Sequence, residues 1–167
     1  RAGIEGDTTF IAGSVRGEEV LFRYTRKKKS FDEGQVLESR ASSPDRVTPP
    51  CVHAQICGGC SLQHISQAAQ IRYKQAILLE LLEHAGLKPD QIVPPLIAQS
   101  LHYRAKARIS VRYVEKKQQV LVGFREKSNP RYIAEIQSCQ ILDARVGLKI
   151  ELLKDLIQSL ESFREIA

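Results

Sequence analysis

The sequence predicts an α+β fold, in which a small β-barrel comes first and an antiparallel sheet with helices, carrying a metal centre, comes second. Short strand patterns fill residues 1–42, and periodic strand and helix patterns return after residue 50. Between them, residues 43–50 contain three prolines and no apolar periodicity. We therefore expect a barrel domain at 1–42, a linker at 43–50 and a second domain at 51–167.

The first domain is expected to consist of three short strands. Residues 8–12, 19–25 and 34–39 are rich in β-forming side chains, and in 19–25 the residues alternate with a period of two. The lysines at 27–29 predict a loop or hairpin tip, where they are solvated or touch RNA without specificity. Short strands at this spacing are typical of a small barrel.

Two helices are predicted in the second domain. The first covers 63–86, where Gly86 indicates a C-terminal stop. Its expected buried face comprises Ala69, Tyr73, Ile77, Leu81 and Ala85. The second helix lies near the end of the chain, where apolar residues step by four, three, four and three positions. Its apolar face comprises Val146, Ile150, Leu153, Ile157 and Leu160.

Three further strands are predicted at 103–114, 119–125 and 131–136, with a hairpin turn at 116–118 between the first two. In the first strand, alanines and apolar residues alternate strictly with polar, mostly basic residues. This alternation predicts one buried face and one face with a row of positive charge, which we call the basic ladder. The basic ladder comprises Arg104, Lys106, Arg108 and Arg112.

The positive charge of the chain is concentrated around this ladder. The net charge is +6, and residues 101–135 hold nine Lys and Arg against three Asp and Glu, which accounts for the whole excess. A local excess of this kind is typical of a surface that binds a phosphate backbone. A merely solvated β face would show the same composition.

The sequence contains no recognisable targeting signal or membrane-spanning segment. No apolar run approaches the roughly 20 residues that a membrane helix needs, and the chain opens without the apolar segment of a signal peptide. Because it begins with Arg and contains no Met, we expect it to be a piece of a longer protein.

The cysteines form a constellation typical of a metal centre. Three of them fall within ten residues, and the fourth follows 78 residues later. They are Cys51, Cys57, Cys60 and Cys139. Gly58 and Gly59 stand between two of the ligands, where they would let the backbone adopt positive φ and approach the centre closely.

Three chemistries could use these thiols. Disulfides need an oxidising compartment, which no signal sequence supports. Zinc usually takes two C-x2-C pairs or Cys and His pairs, whereas one such pair is present here and His53 and His64 fit no familiar zinc spacing. A [4Fe–4S] cluster uses four thiolates, commonly three close together and one distant. The spacing favours the cluster by elimination and leaves zinc as the alternative.

Five segments give the sequence a specific resemblance to a known family. They read SPDRVTPPC, CVHAQICGGCSLQH, HYRAKARISV, VGFREK and IQSCQIL, at 43–51, 51–64, 102–111, 122–127 and 136–142. In this order they resemble the bacterial 23S ribosomal RNA (uracil-5-)-methyltransferases that contain an iron–sulfur cluster and a TRAM domain. The resemblance spans nearly the whole chain.

The resemblance implies a role for each part of the chain. The four cysteines would ligate a [4Fe–4S] cluster, and residues 1–42 would be a partial TRAM domain, an OB-like RNA-binding barrel whose first strand lies before Arg1. The catalytic domain, which binds S-adenosylmethionine and supplies a cysteine nucleophile, would follow Ala167. This chain would then hold no catalytic and no cofactor-binding residue for methyl transfer and should be inactive alone.

The resemblance also implies 23S rRNA as the partner, a cytoplasmic location, no membrane and no obligate protein partner. Basic side chains would meet phosphates, and an aromatic side chain could stack on an unpaired base. The expected RNA contacts are Tyr103, Arg104, Lys106, Arg108, Arg125 and Lys127. Two other functions remain open at this point, a stand-alone RNA-binding module with structural zinc and an electron carrier. A carrier would more usually show an acidic docking surface than a basic ladder.

Overall fold

The computed structural model describes residues 2–4 and 7–160, with side chains from Thr8 to Leu160. The described residues have the predicted α+β composition, with two separate sheets and three α-helices. The chain divides into two compact units, which we call unit 1 (Arg1–Thr48 and His64–Arg72) and unit 2 (Pro49–Gln63 and Tyr73–Ala167). The last part of the predicted second domain, 161–167, lies outside the described residues.

Unit 1 is built on a four-stranded sheet. Strands β1 (Ala2–Ile4), β2 (Asp7–Ala12), β3 (Glu19–Lys27) and β4 (Asp32–Ala41) stand in the order β1-β2-β4-β3. β2 pairs with β4 in parallel, and the other two pairs are antiparallel. The three predicted strands are confirmed and are longer than predicted. β1 is not predicted, because three residues leave no periodic pattern in the sequence.

The β3–β4 hairpin packs closely at a glycine. A Cβ at Gly34 would lie 2.7 Å from the Phe22 ring, so this position has no room for a side chain. The predicted hairpin tip at 27–29 is confirmed, because the Lys28 N–H donates to the Phe31 carbonyl at 3.1 Å. The Lys28 ammonium lies over the Phe31 ring, 4.3 Å from its centroid.

The predicted linker is ordered in its first part. Ser43 is buried, and Arg46 pairs with the Glu18 carboxylate and forms an antiparallel bridge with Ile65. The prolines do end the periodic pattern, but Arg46 finds partners in the connection between β2 and β3, and Asp45 pairs with Arg72 on the helix that follows, which composition does not reveal. Residues 43–48 are therefore part of unit 1.

The long helix, α1 (Gln67–His84), begins four residues later than predicted. Ser66 precedes it and accepts a hydrogen bond from the Ala69 N–H at 3.4 Å, which is the usual N-cap arrangement. The predicted stop is confirmed, since Gly86 adopts a φ of +71° after the last turn. Of the residues predicted to form the buried face, Ala69 is the one that is buried in the described part of the chain. Ile77 and Leu81 are 55% and 60% exposed.

Unit 2 contains the predicted hairpin. Strands β5 (Ser110–Val114) and β6 (Gln119–Gly123) pair antiparallel. A 3-10 turn at Glu115–Lys117 joins them, and Gln118 completes the turn with a φ of 49°. The turn predicted at 116–118 is therefore confirmed.

The strand predicted to precede this hairpin turn is much shorter than expected. It begins only at Ser110, and Ala105 and Ala107, expected on the buried face, are exposed. Alanine and lysine favour strands poorly. Before Ser110 the backbone makes a different contact: the Arg104 N–H donates to the Ile141 carbonyl at 2.9 Å.

The segment predicted as the third strand of unit 2 does not form a strand, but its apolar residues do contribute to the core. Its contact to the chain after β6 is a single antiparallel bridge between Arg125 and Ile133. Ile133, Ala134 and Ile136 are nevertheless buried. Gly123 makes this possible, because a Cβ there would collide with the Ala134 carbonyl oxygen.

Two helices close unit 2. The predicted single helix is interrupted, so α2 (Ala144–Gly147) and α3 (Ile150–Gln158) are separate, and Val146 is 50% exposed instead of buried. α3 packs its apolar face onto β6 with Ile150 fully buried. The core comprises Val120, Val122, Ala134, Ile136, Cys139, Ile141, Leu142 and Ile150. None of the described helices is long and apolar enough to cross a membrane.

Candidate metal centre

The loop that carries the first three cysteines is folded by its own backbone. The Ala54 N–H donates to the Cys51 carbonyl at 3.1 Å, and the Cys57 N–H donates to the His53 carbonyl at 2.8 Å. The Gln63 side-chain oxygen accepts from the Cys51 N–H at 3.2 Å. These turns fold residues 51–60 into a tight loop, as the short spacing requires.

The same loop is fixed against the chain that follows β6. The Gly58 N–H donates to the Arg125 carbonyl at 2.8 Å. A Cβ at Gly58 would lie 2.7 Å from that oxygen, and one at Gly59 would lie 3.2 Å from the Phe124 ring. The close approach expected of both glycines is present, but the expected positive φ is not. They are required because neighbouring atoms leave no room for a side chain.

Cys139 reaches the loop from a distant part of the sequence. It is buried, and its N–H donates to the Gly147 carbonyl of α2 at 2.7 Å. A Cβ at Gly147 would collide with the Cys139 carbonyl oxygen, so α2 can lie directly behind this cysteine only with glycine there. The α2 helix thus sets the position of the fourth thiol.

His53 connects the loop to the segment before Cys139. Its side chain is buried, and its Nε2 accepts a hydrogen bond from the Gln137 N–H at 3.2 Å. An Nε2 that accepts from a backbone N–H is not free to bind a metal ion. The sequence indicates His53 only as a histidine with no zinc spacing, and nothing in its pattern reveals this positioning contact.

The four cysteines line one cavity. It contains about 360 Å³ of empty space, including the solvent at its mouth. The other lining residues are His53, Ala54, Gly59, Gln63, Arg104, Phe124, Ile136, Ser138 and Ile141. Four thiols and no carboxylate form a donor set suited to thiophilic metals such as zinc or iron–sulfur clusters.

The electrostatics of the cavity disfavour a bare thiolate. Burial raises the pKa of the Cys57 thiol, whereas the Gly59 N–H, which donates to its Sγ at 3.4 Å, lowers it. Cys60, Cys139 and Cys51 each raise this pKa further by charge repulsion. The net effect disfavours the charged form of Cys57 unless a nearby cation stabilises it.

No three His, Cys, Asp or Glu side chains among the described residues stand close enough together to hold one metal ion. A tetrahedral zinc site with Zn–S bonds of about 2.3 Å brings its sulfurs to within about 3.8 Å of one another. In a four-iron cluster each thiolate binds a different iron, so the sulfurs stand further apart.

The residues expected to contact RNA separate into two groups. Tyr103 is 53% exposed, and Lys106 and Arg108 are also exposed. Arg104 is partly buried and lines the cysteine cavity instead. With the strand starting at Ser110, the basic ladder is not one continuous row along a strand.

The two expected contacts after β6 support the cysteine loop. The Arg125 carbonyl accepts from Gly58, while its guanidinium is exposed and donates to the Arg131 carbonyl at 3.4 Å. The Lys127 ammonium donates to the Ala54 carbonyl, and its N–H donates to the Ile56 carbonyl at 2.9 Å. Lys127 is therefore engaged within the loop in this structure.

The amino-acid sequence of the chain is similar to part of several known proteins. No protein-family model matches the chain. It is 49% identical over 167 residues to a Legionella pneumophila (strain Paris) protein named 23S rRNA (uracil(1939)-C(5))-methyltransferase RlmD. Proteins of the same name from Alcanivorax borkumensis and Francisella tularensis subsp. novicida are 49% and 47% identical over 159 and 169 residues. The three alignments cover 99%, 95% and 99% of this chain and 38%, 36% and 37% of the relatives.

Over the region that it covers, the chain is similar to proteins named RlmD at 47–49% identity. The family resemblance predicted from the five sequence segments is confirmed. The chain spans about 38% of the length of the first of these curated relatives, and a similar share of the others.

Proposed function

We propose that this chain is the RNA-recognition and [4Fe–4S]-binding part of an S-adenosylmethionine-dependent methyltransferase that forms 5-methyluridine in 23S rRNA. The observation that carries the proposal is the cavity lined by all four cysteines, in a chain homologous to proteins named for this reaction. Homology supports the activity of the whole protein, and the cavity supports the contribution of this part.

The donor set favours a cluster over a zinc ion. Cys51, Cys57, Cys60 and Cys139 supply four sulfurs around one cavity, which is the number of thiolates that a [4Fe–4S] cluster uses. Their spacing, with three thiols close together in the sequence and one distant, is typical of a [4Fe–4S] cluster. When bound, the cluster would tie the loop 51–60 to the segment around Cys139. Methyl transfer from S-adenosylmethionine moves no electron, so this role is structural.

The catalytic thiol of the reaction belongs to another part of the protein. The chain has four cysteines, and all of them line the cavity. No thiol is left to add to a uracil ring. S-adenosylmethionine binding and the cysteine nucleophile are therefore assigned to the catalytic domain of the whole enzyme, which acts in the cytoplasm on 23S rRNA.

The exposed charges of unit 2 are proposed to meet the RNA. Lys106, Arg108 and Arg125 present cations to solvent, and Tyr103 presents an aromatic ring beside them in sequence. Cations track phosphates without reading bases, whereas an exposed ring stacks on an unpaired base. The four-stranded sheet of unit 1 is proposed to be part of a TRAM barrel that adds to RNA binding.

Metal analysis of the anaerobically purified 167-residue chain tests the proposal. We expect close to four iron and four sulfide per chain and a broad absorbance near about 400 nm. Cys139→Ser should lose the chromophore, because one of four ligands is removed. Ser138→Ala is the matched control, since Ser138 lines the same cavity without being a proposed ligand.

Two results would contradict this assignment. A colourless wild-type chain with one zinc would support the zinc-stabilised RNA-binding module instead. A Cys139→Ser chain that keeps its full iron content would remove Cys139 from the ligand set. The activity has a separate test, because the full-length enzyme should transfer a labelled methyl group to uracil C5 of 23S rRNA.

A further inference from the structure

We propose that Arg104 supplies the positive charge that balances the metal centre, and that it is not an RNA contact. This inference rests on the proposed function, because it requires a negatively charged cluster on the four cysteines. It assigns a role to a residue whose sequence pattern places it among the RNA-binding cations.

The backbone fixes Arg104 beside the segment that follows Cys139. The Arg104 N–H donates to the Ile141 carbonyl at 2.9 Å, and the Arg104 carbonyl accepts from the Asp143 N–H at 3.1 Å. These two bonds form a parallel bridge between Arg104 and Leu142. Ile141 and Leu142 are buried core residues, so the main chain of Arg104 is held by the core of unit 2.

Arg104 is partly buried and is one of the residues that line the cysteine cavity. Among the residues that line it, Arg104 is the one Lys, Arg, Asp or Glu. Its guanidinium makes no hydrogen bond or ion pair with any other residue that the structure describes. Two other cations lie beside this loop, and both have partners: the Lys127 ammonium donates to the Ala54 carbonyl and the Arg125 guanidinium to the Arg131 carbonyl.

A permanent cation at this place has a clear electrostatic use. Four thiolates give an iron–sulfur centre a net negative charge, and net charge and hydrogen bonding set its stability and potential. A guanidinium stays charged under all physiological conditions, and it interacts more strongly in a partly buried cavity than in water. Lys106 and Arg108, which are exposed, have no such site.

The test compares four anaerobically reconstituted chains: wild type, Arg104→Gln, Arg104→Lys and Lys116→Gln. Lys116 is an exposed cation in the β5–β6 turn, so its replacement is the matched loss of one charge. We expect Arg104→Gln to take up iron and sulfide, but to release iron to a chelator about three- to tenfold faster than wild type. Its cluster should also have a more negative midpoint potential, because a nearby cation favours the reduced state. Arg104→Lys should retain most of the wild-type behaviour.

A second readout separates this role from RNA binding. Arg104→Gln should leave the salt dependence of RNA binding unchanged, measured with loaded protein and a uridine-containing ribosomal hairpin. Equal iron release and equal potential in Arg104→Gln and Lys116→Gln would overturn the inference alone. A wild-type chain without iron and sulfide would overturn the proposed cluster and this inference together.

Discussion

The carboxylate of Glu18 is the strongest electrostatic feature of unit 1. Arg46 donates to it twice, from Nε at 2.5 Å and from a terminal nitrogen at 2.7 Å. The N–H groups of Val15 and Ser43 donate to it at 2.9 and 3.3 Å. The Glu18 side chain is 0% exposed and that of Arg46 is 27% exposed, so the pair is largely shielded from solvent. This contact ties the ordered part of the predicted linker to the sheet.

The pKa of Glu18 gives the size of its effect. The hydrogen bonds from Arg46 lower this pKa from 4.5 to about 2, with burial acting in the opposite direction and the two backbone N–H groups adding to the decrease. A shift of this size corresponds to ~3 kcal/mol of stability. Because the folded-state pKa is lowered, this stability is fully present above pH 4.5 and is lost as the pH falls towards 2.

Replacement of Glu18 by Gln should therefore destabilise unit 1 at neutral pH. We expect Glu18→Gln to lower the free energy of unfolding by ~3 kcal/mol, because it also leaves Arg46 without its partner. Amide hydrogen exchange resolves unit 1 from unit 2, and the β3–β4 amides should exchange on the order of a hundredfold faster at pH 7. Glu19→Gln is the control, since Glu19 is an exposed neighbour with the same charge.

The pH dependence provides the decisive comparison. The difference between Glu18→Gln and wild type should shrink below pH 4.5 and vanish near pH 2, where the wild-type carboxyl is itself protonated. Equal exchange in Glu18→Gln and Glu19→Gln at pH 7 would refute the reasoning. A difference between Glu18→Gln and wild type that persists unchanged near pH 2 would also refute it.

Three further predictions concern other parts of the chain. Gly58→Ala should destabilise unit 2 by about 1–3 kcal/mol and reduce iron uptake, because its Cβ would press on a backbone carbonyl of the chain after β6. Calorimetry measures the loss of stability, and iron analysis measures the loss of uptake. Gly86→Ala should cost about 1 kcal/mol in urea unfolding, purely through its φ of +71°, since no atom lies within 4 Å of the new Cβ. The double variant Lys106→Ala/Arg108→Ala should weaken RNA binding. It should also reduce the slope of log binding constant against log salt concentration by about 0.7 for each phosphate that is no longer neutralised. Tyr103→Ala should weaken binding with little change in that slope.

Local patterns predicted local structure well. Gly86 ends α1 because a left-handed residue is needed there, and the turn at 116–118 joins two strands that pair antiparallel directly beside it. The three strands of the first domain were equally visible, since each carries its own β-forming residues. In each case the residues that determine the structure are neighbours in the sequence.

Non-local contacts explain where prediction was wrong. The alternation around Arg104 is typical of a strand, but its backbone pairs with Ile141, which lies far away in the sequence. The apolar steps through Val146 are typical of one helix, but α2 ends at Gly147, where the carbonyl of Cys139 packs against it. No single-segment pattern contains this information, because each outcome depends on a partner from another part of the chain.

The candidate site depends on both kinds of contact. The three close cysteines are a property of one loop, whereas closing the 78 residues between Cys60 and Cys139 costs chain entropy that grows with loop length. The protein meets this cost with contacts that do not involve sulfur, including the Gln137 N–H on His53 and the Gly147 carbonyl on the Cys139 N–H. These contacts position the fourth thiol beside the loop that carries the other three. Replacing His53 should therefore weaken metal uptake even though His53 supplies no ligand.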